Sequence, residues 1–381
     1  MPNHTPQNVL FVRGALRQAM TDRFSLQEIK DICFDLGIDA DSLDSTTKGT
    51  LVRELLARLE QRNGRVTLIA WLRANRPDTD WPDPFSSEPD SSETATPREQ
   101  ATVAPAVPAA PLAVLTITSP IQMELVRIPA GEFRMGSDPQ ADKQAFSDEK
   151  PQHIVSLPDF YIARTPVTNA QFAAFAKAQN YRTAAEKWMW AGVRSDDSRE
   201  RVKGADWTHP GGLKTNLLEK DDHPMVQVTW DDAVAFCDWL SEATGRIFRL
   251  PSEAEWEKAA RGVQARIYPW GDELSSEHLC NSGNRIKTTT PVGSYPKGAT
   301  PDFGILDMAG NVWEWVADWY EEAYYAKSPK RNPTGPTTGE RRVQRGGSWY
   351  NGKSWVRAAT RHSNHPNTTS NTFGFRCACS A

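Results

Sequence analysis

Between Tyr350 and Thr372, eleven of twenty-three residues are Ser, Thr or Asn, interrupted by Tyr350, Trp355, His362 and His365. Hydroxyls and amides both donate and accept hydrogen bonds, and aromatic rings give contact area at small entropic cost. This composition suits recognition of another molecule better than bond-making. After Glu340 there is no acidic residue, while Arg341, Arg342, Arg345, Lys353, Arg357, Arg361 and Arg376 remain. Some of these arginines are expected to pair with buried carboxylates or backbone carbonyls. Lys353, His362 and His365 would favour an acidic or neutral partner, more so below about pH 6.5 as the imidazoles charge. The other reactive groups are thiols. Cys33, Cys237, Cys280, Cys377 and Cys379 are odd in number and scattered, which fits a reducing compartment and no disulfide framework. Cys377 and Cys379 would share one face of a strand; such a pair can bind metal, but buried, inert thiols are the simpler expectation. No glycine-rich phosphate loop appears, so a protein ligand is expected rather than a small molecule.

The elements that must position these groups are legible in part. Met123 to Met135 reads as a strand broken by Pro129-Ala130-Gly131. Thr168, Thr229 and Ser252 each stand three residues before an acid or amide (Gln171, Asp232, Glu255), the pattern of a capping box opening a helix. The helices so opened carry Phe172 and Phe175; Ala233, Phe236, Cys237 and Leu240; and Trp256, Ala259 and Ala260. The remainder is irregular, which points to an α+β domain with long ordered loops.

A different texture precedes it. Residues 1–81 read as a small all-α bundle, with a capping box at Ser25-Leu26-Gln27-Glu28, a helix-ending Gly37, and Leu51, Leu55, Leu56 and Leu59 at helical spacing. Residues 82–118 are rich in Pro, Ser, Ala and acidic side chains and read as a flexible tether. The net charge of −4 argues against a general nucleic-acid binder. No apolar run reaches membrane-spanning length and no basic leader precedes an apolar core, so a cytoplasmic chain is expected.

Several motifs together resemble the formylglycine-generating (sulfatase-modifying factor) family. They include Met135-Gly136-Ser137, Pro166-Val167-Thr168-Asn169, His223-Pro224-Met225-Val226 and Arg249-Leu250-Pro251-Ser252-Glu253-Ala254-Glu255-Trp256. Tyr268-Pro269-Trp270-Gly271, Asp307-Met308-Ala309-Gly310-Asn311-Val312-Trp313-Glu314-Trp315, Arg345-Gly346-Gly347-Ser348 and Gly374-Phe375-Arg376-Cys377-Ala378 follow in the family's order. The resemblance spans residues 119–381 and implies a C-type-lectin-like fold. The family's oxidases hold copper through two thiolates and convert a protein cysteine to formylglycine. Here Asn351 and Val356 stand where those thiols would fall. Neither can replace a soft thiolate, so no copper is expected and the chain is read as non-catalytic. A copper-dependent oxidase stays as the alternative. The resemblance also implies a structural calcium loop in which Asp307 and Glu314 offer carboxylates and Gly310 and Val312 offer carbonyls; the alternative is an ion-free hydrogen-bond network.

The bracketing of a polar, aromatic stretch by Gly-Gly-Ser-Trp and Gly-Phe-Arg is similar to the variable proteins of diversity-generating retroelements, whose diversified region lies there. That likeness implies a ligand surface within residues 345–376. Its first part comprises Tyr350, Asn351, Gly352, Lys353, Ser354 and Trp355. Its second comprises His362, Ser363, Asn364, His365, Asn367, Thr369, Ser370, Asn371 and Thr372. Phe24 to Asp39 resembles the effector-associated, death-like adaptor domains, implying that the bundle recruits another adaptor or effector protein.

Overall fold

The computed structural model describes residues 113–195, 198–284 and 286–381, together with Met20, Ile29, Ile32, Leu51, Val52, Leu55 and Leu56. Those seven are helical and buried, as an apolar helix face requires. The capping box at Ser25, Gly37, Leu59 and Cys33 lie outside the described residues. The chain divides into two compact units, Met1–Val107 and Pro108–Ala381. Among the described residues no helix is long and apolar enough to cross a membrane.

The second unit begins with β1 (Val114–Ile117), β2 (Met123–Ile128), β3 (Gly131–Met135), β4 (His153–Leu157) and β5 (Phe160–Ala163). Helices α1 (Asn169–Gln179) and α2 (Ala184–Trp188) follow, then β6 (Trp190–Arg194), β7 (Arg199–Lys203), α3 (Trp230–Thr244), β8 (Phe248–Arg249) and α4 (Glu253–Arg261). The chain closes with β9 (Trp313–Trp319), β10 (Arg342–Arg345), β11 (Arg361–Asn364), β12 (Phe373–Phe375) and β13 (Ala378–Ser380). β1 falls inside the stretch assigned to the tether by composition; it is a strand because all four of its residues pair antiparallel with β2.

A five-stranded sheet in the order β1-β2-β5-β13-β8 makes the floor. Period-two alternation splits its side chains between two cores. Met123, Leu125, Cys377 and Cys379 enter one core with Phe172, Phe175, Phe236 and Phe375 from α1, α3 and β12. Val126, Ile128, Ile162 and Ala378 enter the other with Trp256 of α4. Truncating a fully buried ring such as Phe236 to Ala would cost about 3–5 kcal/mol. The expected capping boxes are all formed. Thr168, Thr229 and Ser252 accept from the third helical amide, and the facing side chain closes each box. Thr183 and Glu186 form a fourth, on α2.

The second sheet, β11-β10-β9-β12, carries the polar stretch. β12 runs parallel to β9, with Gly374 opposite Glu314, and a Cβ on Gly374 would come within 2.6 Å of Met225 O. Four fully buried arginines knit this sheet to its surroundings, as carboxylate-paired arginines were expected to do. Arg345 pairs with Glu257, Arg361 with Glu253 and Arg376 with Glu314, while Arg357 is held by both Glu149 and Asp142. Burial alone would raise the Glu257 carboxyl; Arg345 and Arg261 overcome that and hold it below its usual range.

Candidate functional site

The site is built on a turn that only glycine fits. Gly346 and Gly347 take φ of +94° and +75°, and a Cβ on Gly347 would sit 2.7 Å from both Trp355 O and the Val356 side chain. Directly after it, Asn351 Oδ1 accepts from Ser348 N at 3.1 Å and from Ser348 Oγ at 2.6 Å. Trp349 N donates to Asn311 O at 2.9 Å, and its indole Nε1 donates to Asn371 O at 3.1 Å. Val356 is fully buried against Tyr268, Leu279 and Ala309. The two positions that would hold thiols in an oxidase thus hold a turn-closing amide and a packed isopropyl group.

The predicted recognition residues divide in two. Ser363, Thr369, Ser370 and Thr372 are buried and serve the framework, which corrects their assignment to the ligand surface. Ser363 faces inward with Arg361 because β11 alternates. Ser370 Oγ lies 2.8 Å from Thr372 Oγ1, and Gln227 N donates to Ser370 O at 3.0 Å. Thr369 Oγ1 accepts from Gly192 N at 3.4 Å, and Asn371 holds the backbone of Arg194 through its side chain. Thr369 and Asn371 are engaged by the β6–β7 hairpin and Ser370 by the segment before α3, while Thr372 O accepts from Trp313 N of β9. A polar side chain in this stretch is therefore no sign of exposure.

The others reach the surface. Gly352, Lys353, Trp355, His365 and Asn367 are exposed, and Tyr350, Asn351, Ser354, His362, Asn364 and Asn371 are half-buried. Rings from three elements converge on them. His362 lies 4.9 Å from Trp313 of β9, and Trp355 lies 4.8 Å from Phe146 and 6.0 Å from His362. Trp313 and Trp355 are 6.4 Å apart. The guanidinium of Arg194 sits 4.6 Å over the Tyr350 ring, and that of Arg199 sits 5.8 Å over Phe373. Trp313, Phe146, Arg194 and Arg199 were not foreseen as site residues. The hairpin could have been found, because Trp190 to Arg194 and Arg199 to Lys203 flank a turn-forming Ser-Asp-Asp-Ser run.

His362 does not charge as expected. Burial, followed by the nearby Arg199, Arg341 and Arg194, pushes its imidazole down to about 4. Asn364 Nδ2 lies 3.2 Å from His362 Nε2, consistent with a neutral ring protonated on Nδ1.

The anticipated calcium loop does not present a free oxygen set. Glu314 is fully buried, with Oε2 accepting from Trp256 Nε1 at 2.7 Å and Arg376 Nε at 2.6 Å, and Oε1 from the other guanidinium nitrogen at 2.7 Å. It already has its counter-ion. Asp307 Oδ2 accepts from Gly293 N at 2.7 Å, and burial pushes its carboxyl up to about 6, toward the neutral form. Gly310 packs backbone to backbone, a Cβ there falling 2.2 Å from Cys280 O, and Val312 is buried. Among the described residues no group of three or more His, Cys, Asp and Glu could hold a metal ion. These residues fit an ion-free network, and no step is assigned to a metal.

The described cysteines are free and buried. Cys237 and Cys377 bring their sulfurs to 3.7 Å inside the core, and burial raises Cys237 well above the usual thiol range. Burial also pushes Cys280 and Cys379 up to about 11, so the reactive thiolate is disfavoured.

Residues 117–381 match the sulfatase-modifying factor enzyme 1-like domain, and residues 16–77 match effector-associated domain 7. The formylglycine-generating enzyme of Streptomyces coelicolor is 39% identical over 287 residues, spanning 66% of this chain and 88% of that protein. The structure of PvdO from Pseudomonas aeruginosa aligns with a TM-score of 0.59 at 29% identity, over 71% of this chain and 98% of that one. Treponema denticola variable protein 1 aligns with a TM-score of 0.54 at 21% identity, over 71% of this chain and 100% of that one, a likeness of fold. The C-type-lectin-like expectation is met, with an effector-associated domain at the N-terminal end. From residue 117 onward, this chain belongs to the sulfatase-modifying factor enzyme 1-like domain family.

Proposed function

We propose that the protein is a non-catalytic ligand-binding protein that presents the loop surface around Tyr350, Lys353, Trp355, His362, Asn364, His365 and Asn367. Its N-terminal effector-associated domain would recruit another adaptor or effector protein. The observation that carries this reading is the occupancy of positions 351 and 356. Asn351 closes the turn after Gly347 and Val356 fills the core, so the rigid turn that could present thiolates instead presents Trp355 on a bed of aromatic rings. Exposed rings amid small polar groups are the chemistry of paratopes. The fold shared with Treponema denticola variable protein 1 agrees with such a use.

The test is panning of a displayed random peptide library on the full chain. Recovered peptides should bind wild-type protein and lose binding to Tyr350→Ala and Trp355→Ala, while the unfolding midpoint stays put. An oxidase of the formylglycine type is the second reading, favoured by the 39% identity to the Streptomyces coelicolor enzyme. It requires stoichiometric Cu(I) uptake and oxygen-dependent loss of a peptide thiol. Finding both would replace the binding role.

A further inference from the structure

Three arginines from outside the segment 345–376 lie beside it. Arg194 ends β6 with its guanidinium 4.6 Å over the Tyr350 ring, and Arg199, its register partner at the start of β7, sits 5.8 Å over Phe373. Arg341 directly precedes β10, whose Gln344 pairs with His362, and after burial the charges of all three oppose protonation of that ring. Arg194 is half-buried and the other two are exposed. The hairpin carrying the first two is clamped to the loop by Asn371, Thr369 and Gln227, whose Nε2 donates to Gly192 O at 2.9 Å. Among the described residues no carboxylate forms an ion pair with any of the three. Asp196 and Asp197, at the hairpin's turn, lie outside the described residues. Arg194 and Arg199 face each other in register across the hairpin, and burial, followed by the Arg194 charge, lowers the Arg199 guanidinium from its usual range. Beside this cationic rim lie Trp313, Trp355 and the neutral His362 ring.

We infer that this surface selects an acidic protein segment, its carboxylates bridging Arg194, Arg199 and Arg341 while an aromatic or aliphatic side chain stacks on Trp355. This deepens the binding role proposed above and rests on it. The guanidinium fork matches a carboxylate bidentately, and bringing carboxylates in relieves the repulsion among the arginines. A nucleic-acid strand is a poorer fit. It needs a track of cations, whereas here the charge is gathered beside one segment in a chain of net charge −4. Since the arginines lie outside the segment 345–376, they fix the class of partner. Tyr350, Lys353, Trp355, His365 and Asn367 then set the individual one.

Panning the full chain at low salt with a random peptide library of mixed charge tests this. The recovered peptides should be rich in Asp and Glu beside an aromatic or aliphatic residue. One acidic peptide from that pool should bind about two- to five-fold more weakly to each of Arg194→Gln, Arg199→Gln and Arg341→Gln, with the differences shrinking at high salt. Arg341→Gln keeps the test available should the hairpin variants unfold, because among the described residues no hydrogen bond or ion pair engages the Arg341 side chain. Binders without acidic bias, or acidic binders indifferent to all three substitutions, that still depend on Trp355 overturn this inference and leave the binding role standing. Recovery of no peptide that depends on Tyr350 or Trp355 overturns both.

Discussion

The side chain of Asn371 imitates a strand partner for Arg194, with Oδ1 accepting from Arg194 N at 2.8 Å and Nδ2 donating to Arg194 O at 3.0 Å. One amide thereby satisfies both backbone groups at the end of β6 and fastens the hairpin to the loop. Asn371→Ala should cost about 1–3 kcal/mol of stability, because it leaves two half-buried backbone groups without partners. The matching local readout is faster hydrogen exchange at Arg194 and its β6 neighbours. An unchanged exchange rate there would mean that other contacts fasten the hairpin.

His362 gives the pH dependence a definite sign. Its folded value, about 4, lies below the ordinary 6.5, so the neutral ring contributes stability that is present above 6.5. That contribution is lost as pH falls from 6.5 through 4, with a slope approaching about 1.4 kcal/mol per pH unit in mid-window. Asp307 and Asp318, raised to about 6 and about 8 by burial, slope the opposite way. The comparison to make is therefore wild type against His362→Gln across that range. The ring's C2 proton resonance should titrate near 4 rather than near 6.5.

Arg357 is the cation for two carboxylates. It donates to Asp142 Oδ2 and Glu149 Oε2 at 2.7 Å each, and it is fully buried. Arg357→Met should destabilise the fold by about 3–5 kcal/mol, since it strands buried negative charge. Adding Glu149→Gln should recover part of that loss, as a denaturant titration of single and double variants would reveal. A double variant as unstable as the single would place the cost in packing instead.

The sequence announced what local chemistry controls. The capping boxes at Thr168, Thr229 and Ser252 and the break at Pro129-Ala130-Gly131 are all where spacing put them, because each depends on residues within one turn. The burial of Thr369 and Ser370 was illegible for the converse reason. Their partners, Gly192 and Gln227, are more than a hundred residues away. For the same cause the rings supporting Trp355 could not be read, since Phe146 and Trp313 join it only in three dimensions.

The carboxylates at Asp307 and Glu314 invite a chelation experiment. With Glu314 neutralised by Arg376 and Asp307 tied to Gly293 N, neither EGTA nor added calcium should move the unfolding midpoint. A ligand that bound only the folded state would raise it by mass action. A calcium-dependent rise would show that the Arg376 pairing yields to the ion.

Diversification, if it operates at this locus, must respect the split between surface and framework. Ser363, Thr369, Ser370 and Thr372 pack inside, and Asn351 closes a turn, so substitutions there would leave donors and acceptors without partners. Lys353, Trp355, His365 and Asn367 are exposed, and changes there alter the surface without disturbing a core. Sequencing this locus across close isolates should find differences concentrated at 350, 353, 355, 365 and 367, beside a reverse transcriptase gene and a template repeat. Asn371, which holds Arg194, should stay constant, together with Arg194, Arg199 and Arg341. Variation spread evenly over buried and exposed positions would instead indicate ordinary drift, and the retroelement origin would fall while the binding surface could still be tested by panning.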